Sequence, residues 1–516
     1  MSAPHSSENA STQIRSVTRL FWLWLVVRTL VWVLTVVVSH SNAPLDLIEW
    51  LSWGHVWQWG YSKHPPLPAW LADAAARLST GEVWPVYALG YGFTAVTILA
   101  AWQLAREYLP PRLALLSVVC LDGVMYMTND PAEFSNNVVL NSGWAWLTVV
   151  WFRAVRTGSI RWWMAVGVVL GLTILSKYTI GVLVSCLIGY TLWDRQARRV
   201  WRTPGPYWAA AMTVLTVFPH LLWLIDNHFL PFRYAVARSI EKVSVWDRLI
   251  FPAQFIGGQL LHGLPILFIL WPAMRDKIPT QNEPETRIRT DPDPRFLDAA
   301  VIGPVILLVT VSVVTGAVLR EIWGSPLWTF LGVWLLVRFG RLESETRWSA
   351  TTRRWAVMAV AFVAFTLIKQ LAGPHLTGKG ERPHFPGRPL ADEVNRLWSE
   401  RYAGYPPIVG GEGWRAGNVA CYSPHRPAVF TSGVMGYLVM DEVHCPWTSD
   451  AEVNVRGAAI VWDADMVSNT QIDELKARFP WVEMLPVVEL AWQTTANLKP
   501  TRVGVAVVPP AIARSQ

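Results

Sequence analysis

From about Leu20 to Leu371 the sequence is a succession of apolar runs, most of them close to the length that crosses a lipid bilayer. Roughly 20 residues, rising 1.5 Å each in a helix, cover the ~30 Å hydrocarbon core. Lipid offers the backbone no hydrogen-bond partners, so each crossing segment must satisfy its peptide groups internally as a helix. We place eleven spans, near 19–38, 83–104, 111–128, 137–153, 162–176, 178–193, 206–225, 249–271, 298–318, 326–338 and 355–372. A polytopic α-helical membrane protein is therefore expected. Composition agrees: charged residues make up only 16% of the chain, and 32 residues are Trp, an amphipathic ring favoured at membrane interfaces.

The formal charge of +7 does not point to nucleic acid, because the Lys and Arg residues are spread over many short loops. Their distribution sets topology instead. Arg195, Arg198, Arg199 and Arg202 share one loop, and Arg338, Arg341, Arg347, Arg353 and Arg354 another, whereas the alternate loops are poor in cations. The positive-inside rule then puts the N-terminus in the cytoplasm and residues 373–516 outside. The first span reads as an uncleaved signal anchor, with no small-residue cleavage site behind it. Arg28, inside that span, has no evident partner in the sequence.

Two outside segments are long enough to carry function. Residues 39–82 form a loop dense in Trp, Pro and charge, and 373–516 form a separate domain beyond the membrane part, 1–372. The latter opens with a Gly/Pro linker, continues with Leu390, Val394, Leu397 and Trp398 on one helical face, and then shows β-rich runs at 428–431, 458–462, 484–491 and 503–508. An extracytoplasmic α/β domain is expected. Cys421 and Cys445 fall within it, in an oxidising compartment, and are expected to form a disulfide.

Within the first loop, Pro44–Trp53 reads as a helix opened by Ser41 or Asn42. Asp46, Glu49, Trp50 and Trp53 share one face, leaving Leu45, Ile48 and Leu51 to lie against lipid. Carboxylates placed there face the headgroup of a membrane-bound substrate. They are also what a solvated first turn contains, since the helix dipole favours them.

The continuation is more specific. Trp57-Gln58-Trp59-Gly60-Tyr61-Ser62-Lys63-His64-Pro65-Pro66-Leu67-Pro68-Ala69-Trp70 combines an aromatic-Gly-Tyr turn with a (Lys/His)-Pro-Pro-Leu helix start. With an acidic residue upstream, this resembles the GT-C superfamily that contains the protein O-mannosyltransferases and the lipid A aminoarabinose transferases. Thr128-Asn129-Asp130 with Glu133-Phe134-Ser135, Gly171–Thr179, Pro219–Trp223 and Phe232-Arg233-Tyr234 extend the resemblance to about residue 340.

The resemblance implies an inverting glycosyltransferase that takes a sugar from a polyprenyl-phosphate donor at the outer face of a bacterial inner membrane. The acceptor would be a hydroxyl of lipopolysaccharide core, lipid A or another envelope glycan. Asp46 takes the place of the family's catalytic Asp, Leu47 replaces the Glu beside it, and Glu49 is positioned to substitute. Lys63, His64, Lys177, Arg233 and Arg238 are the candidate phosphate ligands. Asp130, Glu133, Trp53 and Tyr61 are candidates for acceptor or sugar. A divalent metal held by Asp46, Glu49 and His55 or His64 is a weaker expectation, as the spacing matches no defined metal motif. The rivals are a secondary transporter or flippase, which would show two similar halves, and a sensor whose 373–516 domain binds a ligand.

Overall fold

The structure is a computed structural model, described at residues 4–79, 82–239, 244–274, 292–340, 345–432 and 437–514. Among these residues seven helices are long and apolar enough to cross a membrane: Thr12–Ser39, Trp84–Tyr108, Asn136–Thr157, Gly205–Asp226, Asp247–Met274, Arg295–Thr315 and Thr346–Thr377. The pair Glu321–Trp328 and Leu331–Phe339, bent by 51°, makes an eighth crossing if counted as one span, and Ile160–Ile174 and Ile180–Trp193 are apolar but shorter.

The count of eleven is not reproduced, and the run 111–128 shows why. Helix Pro111–Val119 passes into a 3-10 turn at Cys120–Gly123 and then a separate turn at Met125–Thr128. The turn presents Asp122 to Arg28, whose Nε lies 2.5 Å from Oδ1. Trp24 and Trp355 donate indole N–H groups to the same carboxylate at 3.0 and 2.8 Å. A charge inside an apolar span is costly unless it is paired and hydrogen-bonded, so the run breaks where it meets the partner of Arg28.

The chain forms two compact units, and neither is a single stretch of sequence. The first comprises Met1–Trp32, Gly90–Pro131 and Asn136–Phe365, and the second Val33–Leu89, Ala132–Ser135 and Thr366–Gln516. In the first, Phe21 stacks on Trp102 at 4.5 Å within an extensive helical core. Gln259 there accepts from the Trp328 indole and donates to the Glu321 carbonyl, which secures both ends of the Glu321–Trp328 turn.

The second unit contains a six-stranded sheet. Its strands are β1 (Ile408–Gly411), β2 (Ala428–Phe430), β3 (Ala458–Asp463), β4 (Glu483–Met484), β5 (Val488–Leu490) and β6 (Thr501–Val508). The order is β2-β1-β3-β6-β4, with β5 also on β6; β1 runs parallel to its neighbours, and β6 antiparallel to all of its own. The β-rich runs and the helix at Gly387–Ser399 are as expected, whereas β1, Ile-Val-Gly-Gly, is too short and glycine-rich to stand out in the sequence.

The loop 39–82 belongs to this unit because two glycines let its helices approach closely. The helix Leu45–Gly54 ends at Gly54, where a Cβ would lie 2.2 Å from the Ala69 carbonyl oxygen of the Leu67–Ala76 helix. On its other side a Cβ at Gly417, in the helix Gly413–Tyr422, would lie 2.6 Å from the Ile48 side chain. Ile48 and Leu51 are consequently buried against protein and do not face lipid. The alternation of apolar and acidic residues was legible, but not which apolar surface it meets.

Candidate active site

The helix carrying Asp46 starts in an unusual way. Pro44 precedes it in an extended conformation, with φ −68° and ψ 170°, and no side chain of its own segment caps it. Neither Ser41 nor Asn42 caps it, contrary to expectation: Ser41 donates to the Gln493 carbonyl and Asn42 to that of Ala43. The cap comes from a distant point in the sequence, as the Glu133 carboxylate accepts the backbone N–H groups of Leu45 and Asp46. These are among the first donors of a helix, which have no intrahelical partner, and an acid there is favoured by the dipole.

Capping brings two carboxylates together. Burial, then the neighbouring Glu133 and Glu49 charges, push the Asp46 carboxyl up to about 7, against the opposing pull of Lys63 and Arg382. Burial likewise raises Glu133, although the N–H groups of Asp46 and Leu45 and the Arg382 charge favour its ionised form. Two acids that cannot both ionise freely behave as a pair, with one proton exchanged in the neutral range.

Glu49 has a different situation: Lys63 Nζ lies 2.5 Å from its Oε1. The ammonium compensates the Glu49 charge directly.

Aromatic rings set the positions of these groups. Trp53 meets Trp50 edge-on at 5.3 Å and stacks on Tyr61 at 5.1 Å, and His64 lies 5.5 Å from Trp50. Lys63 reaches its place across the Trp53 ring, 5.8 Å from its centroid. The Tyr61 hydroxyl donates to the Trp53 carbonyl at 2.9 Å and the residue is fully buried. Tyr61 therefore holds the turn and presents no surface to a sugar, and Trp53 is nearly as enclosed. Pro66 precedes the Leu67–Ala76 helix, so the Lys-His-Pro-Pro motif opens a helix as its sequence implies.

The remaining candidates are distributed. Asp130, Lys177 and Arg233 belong to the first unit. There Lys177 donates to Asn137 Oδ1, and Arg233 is exposed on the helix Leu230–Ser239. Arg238 is on that helix too, but its side chain lies outside the described residues. Among the described residues no group of three His, Cys, Asp or Glu side chains is placed to hold a metal ion.

The expected disulfide is not formed. Cys421 and Cys445 are free, and the buried Cys445 thiol donates to the Thr431 carbonyl at 3.3 Å. A shared domain and compartment say nothing about where two thiols point. Sequence reading missed Arg382, which lies in what reads as a Gly/Pro linker, and no local pattern marks it.

The segment 63–223 matches the dolichyl-phosphate-mannose-protein mannosyltransferase family. Two lipopolysaccharide core galacturonosyltransferases of Rhizobium johnstonii are similar in sequence. RgtA is 21% identical over 419 residues, covering 77% of this chain and 79% of the relative, and RgtB is 23% identical over 403 residues, covering 72% and 75%. The fold is that of ArnT from Cupriavidus metallidurans. Its crystal structure bound to undecaprenyl phosphate superposes with a TM-score of 0.62 over 96% of this chain and 99% of that one, at 14% identity, and its apo structure gives 0.52. Fold and sequence together define a membrane-embedded glycosyltransferase. The family match, the relatives and the shared fold all support a GT-C superfamily glycosyltransferase.

Proposed function

We propose that this enzyme moves a sugar from a polyprenyl-phosphate donor to a hydroxyl of lipopolysaccharide core or lipid A at the outer face of the inner membrane, with Asp46 as general base. The observation that carries this reading is the state of Asp46, a half-buried carboxyl pushed up to about 7 beside a second half-buried acid, Glu133. A base is most effective when its pKa lies near the working pH.

The acceptor O–H gives its proton to Asp46 as its oxygen attacks the anomeric carbon, and the bond from that carbon to the phosphate oxygen breaks with inversion. Lys63 and Arg382 are the nearby cations to receive the charge that grows on the departing phosphate. ArnT in its complex with undecaprenyl phosphate supports the donor class, and the two Rhizobium enzymes support the core acceptor and make a hexuronic acid the first sugar to test. Cation-rich alternate loops support the orientation, with the sheet-bearing unit outside.

Mass analysis of lipopolysaccharide from cells with and without the gene is the direct test. Loss of one sugar residue from core or lipid A is expected, and unchanged lipopolysaccharide would reject the acceptor. A second expectation concerns the acid pair. Glu133→Gln keeps an oxygen to cap the Leu45–Gly54 helix but removes the charge that raises Asp46. The acid limb of the pH–rate profile should then move down from about 7, by roughly one unit at a charge separation typical of neighbouring groups. An unmoved limb would mean that Glu133 does not govern the base.

A further inference from the structure

We propose that the second unit carries an acceptor subsite, remote from the glycosylated hydroxyl, that holds an anionic saccharide of the acceptor; this rests on the acceptor reading above. The site is an open cleft of about 490 Å³ lined by His55, Tyr405, His425, Arg426 and Arg456, together with prolines. Among the described residues none that lines it is acidic.

Trp57 and Trp59, two and four residues beyond His55 in the chain, are 52% and 47% exposed. Trp70 supports both: Trp57 lies parallel to it at 5.6 Å and Trp59 meets it edge-on at 4.9 Å. Exposed, ordered indoles are a surface on which the apolar side of a sugar ring can lie, and guanidinium groups are the partners that carboxylates and phosphates bind in a forked geometry.

The scaffold under this cleft is strained and deliberately held. Among the described residues four that are not glycine have positive φ, and two of them, Trp57 at 43° and Arg426 at 44°, belong to this region. L side chains rarely adopt that conformation, and it gathers at binding and catalytic sites. One carboxylate fixes both residues. Asp73, fully buried, accepts from Trp57 Nε1 at 2.8 Å, Arg426 Nη1 at 2.6 Å and Arg77 Nε at 2.8 Å. Burial pushes Asp73 up, but the donors of Trp57, Arg426 and Arg77 outweigh it and keep the group below the usual carboxylate range, hence ionised.

Arg426 also donates to the Leu51 carbonyl at 3.0 Å, which ties the cleft to the helix bearing Asp46. With Arg426 committed to Asp73, the charge left for a ligand is that of Arg456, whose nearest carboxylate, Glu452, stands 3.9 Å off with both side chains about half exposed. His425, exposed and packed on Tyr405 at 4.5 Å, adds a donor. His55 follows Asp46 by nine positions, roughly 14 Å along a helix. The cleft thus suits a sugar of the acceptor chain other than the one being modified.

The test uses the purified full-length protein in detergent and, as probe, core oligosaccharide freed of lipid A by mild acid. Arg456→Glu combined with His425→Ala should weaken binding at least tenfold, and Trp59→Ala several-fold; none of these side chains takes part in the Asp73 network. In transfer assays the same variants should raise the acceptor KM by a similar factor while kcat and the donor KM stay unchanged. Asp46→Asn should bind the oligosaccharide normally. Absence of wild-type binding, or unaltered affinity in the double variant, overturns the subsite. So does a Trp59→Ala protein with normal affinity but weaker retention in phosphatidylcholine nanodiscs, which would make the indoles a membrane anchor. Binding that is lost in the variants, in an enzyme that does not glycosylate lipopolysaccharide, would uphold the cleft and reject the acceptor reading.

Discussion

Asp46→Asn should reduce sugar transfer by about 10² or more and, at pH 8, make the protein harder to unfold. The first effect follows from the loss of the base: Asn keeps the size and much of the hydrogen bonding but takes no proton, and general-base assistance is typically worth ~10² to 10⁴ in rate. The second follows from linkage. In the folded chain the carboxyl is raised from 3.8 to about 7. Its contribution to stability is therefore full below about 4 and is lost as pH rises through about 7, where the native state must carry a charge it disfavours. Asn never carries that charge. Thermal unfolding should show the variant level with wild type near pH 4 and more stable at pH 8. A variant that transfers at near wild-type rate would remove Asp46 from the mechanism, and one destabilised at pH 8 would contradict its electrostatic setting.

Lys63→Met should be nearly as damaging, by about 10² at pH 7, through two separable effects. Glu49 loses the ammonium 2.5 Å from its oxygen and stands as an uncompensated charge beside Asp46. Lys63 lowers the Asp46 carboxyl directly as well, so its removal should shift the acid limb above pH 7. That is the opposite direction to Glu133→Gln, and the contrast checks the electrostatic account without an absolute value. The other effect is on the donor. A cation facing its phosphate acts in both ground and transition states, so donor KM should rise while kcat falls. Lys63→Arg should restore much of the pH profile. Should raising the pH recover full activity in Lys63→Met, Lys63 serves the base alone and the donor phosphate is held elsewhere.

Much of the architecture was legible because lipid imposes a length and apolarity that a single window detects, as at Asp247–Met274 and Arg295–Thr315. The window fails where a polar residue has a distant partner: Asp122 ends a run only because Arg28 arrives from another helix. Asp46, Glu49 and the Lys63-His64-Pro-Pro motif were legible because they lie within one loop. Glu133 was singled out from its own short loop, but as a candidate for acceptor or sugar, because its role at the start of the Asp46 helix depends on two segments far apart in sequence; the charge of Arg382 has no local pattern at all. Tyr61 misled for a related reason, since an aromatic in a polar loop is equally suited to touching a sugar or closing a turn, and only its burial decides. Asp73 went unread because its three donors come from positions 57, 77 and 426.

The division of the second unit into separate stretches of sequence also sets a timetable for biosynthesis. The helix bearing Asp46 ends at Gly54, and the helix that covers it through Gly417 begins only at Gly413, some 360 residues later. At ~5 to 20 residues per second of synthesis, the loop waits roughly twenty to seventy seconds for its packing partner. A chain truncated ahead of Gly413 would keep each of the seven long apolar helices found among the described residues, while leaving the Leu45–Gly54 helix without the surface that meets it at Ile48.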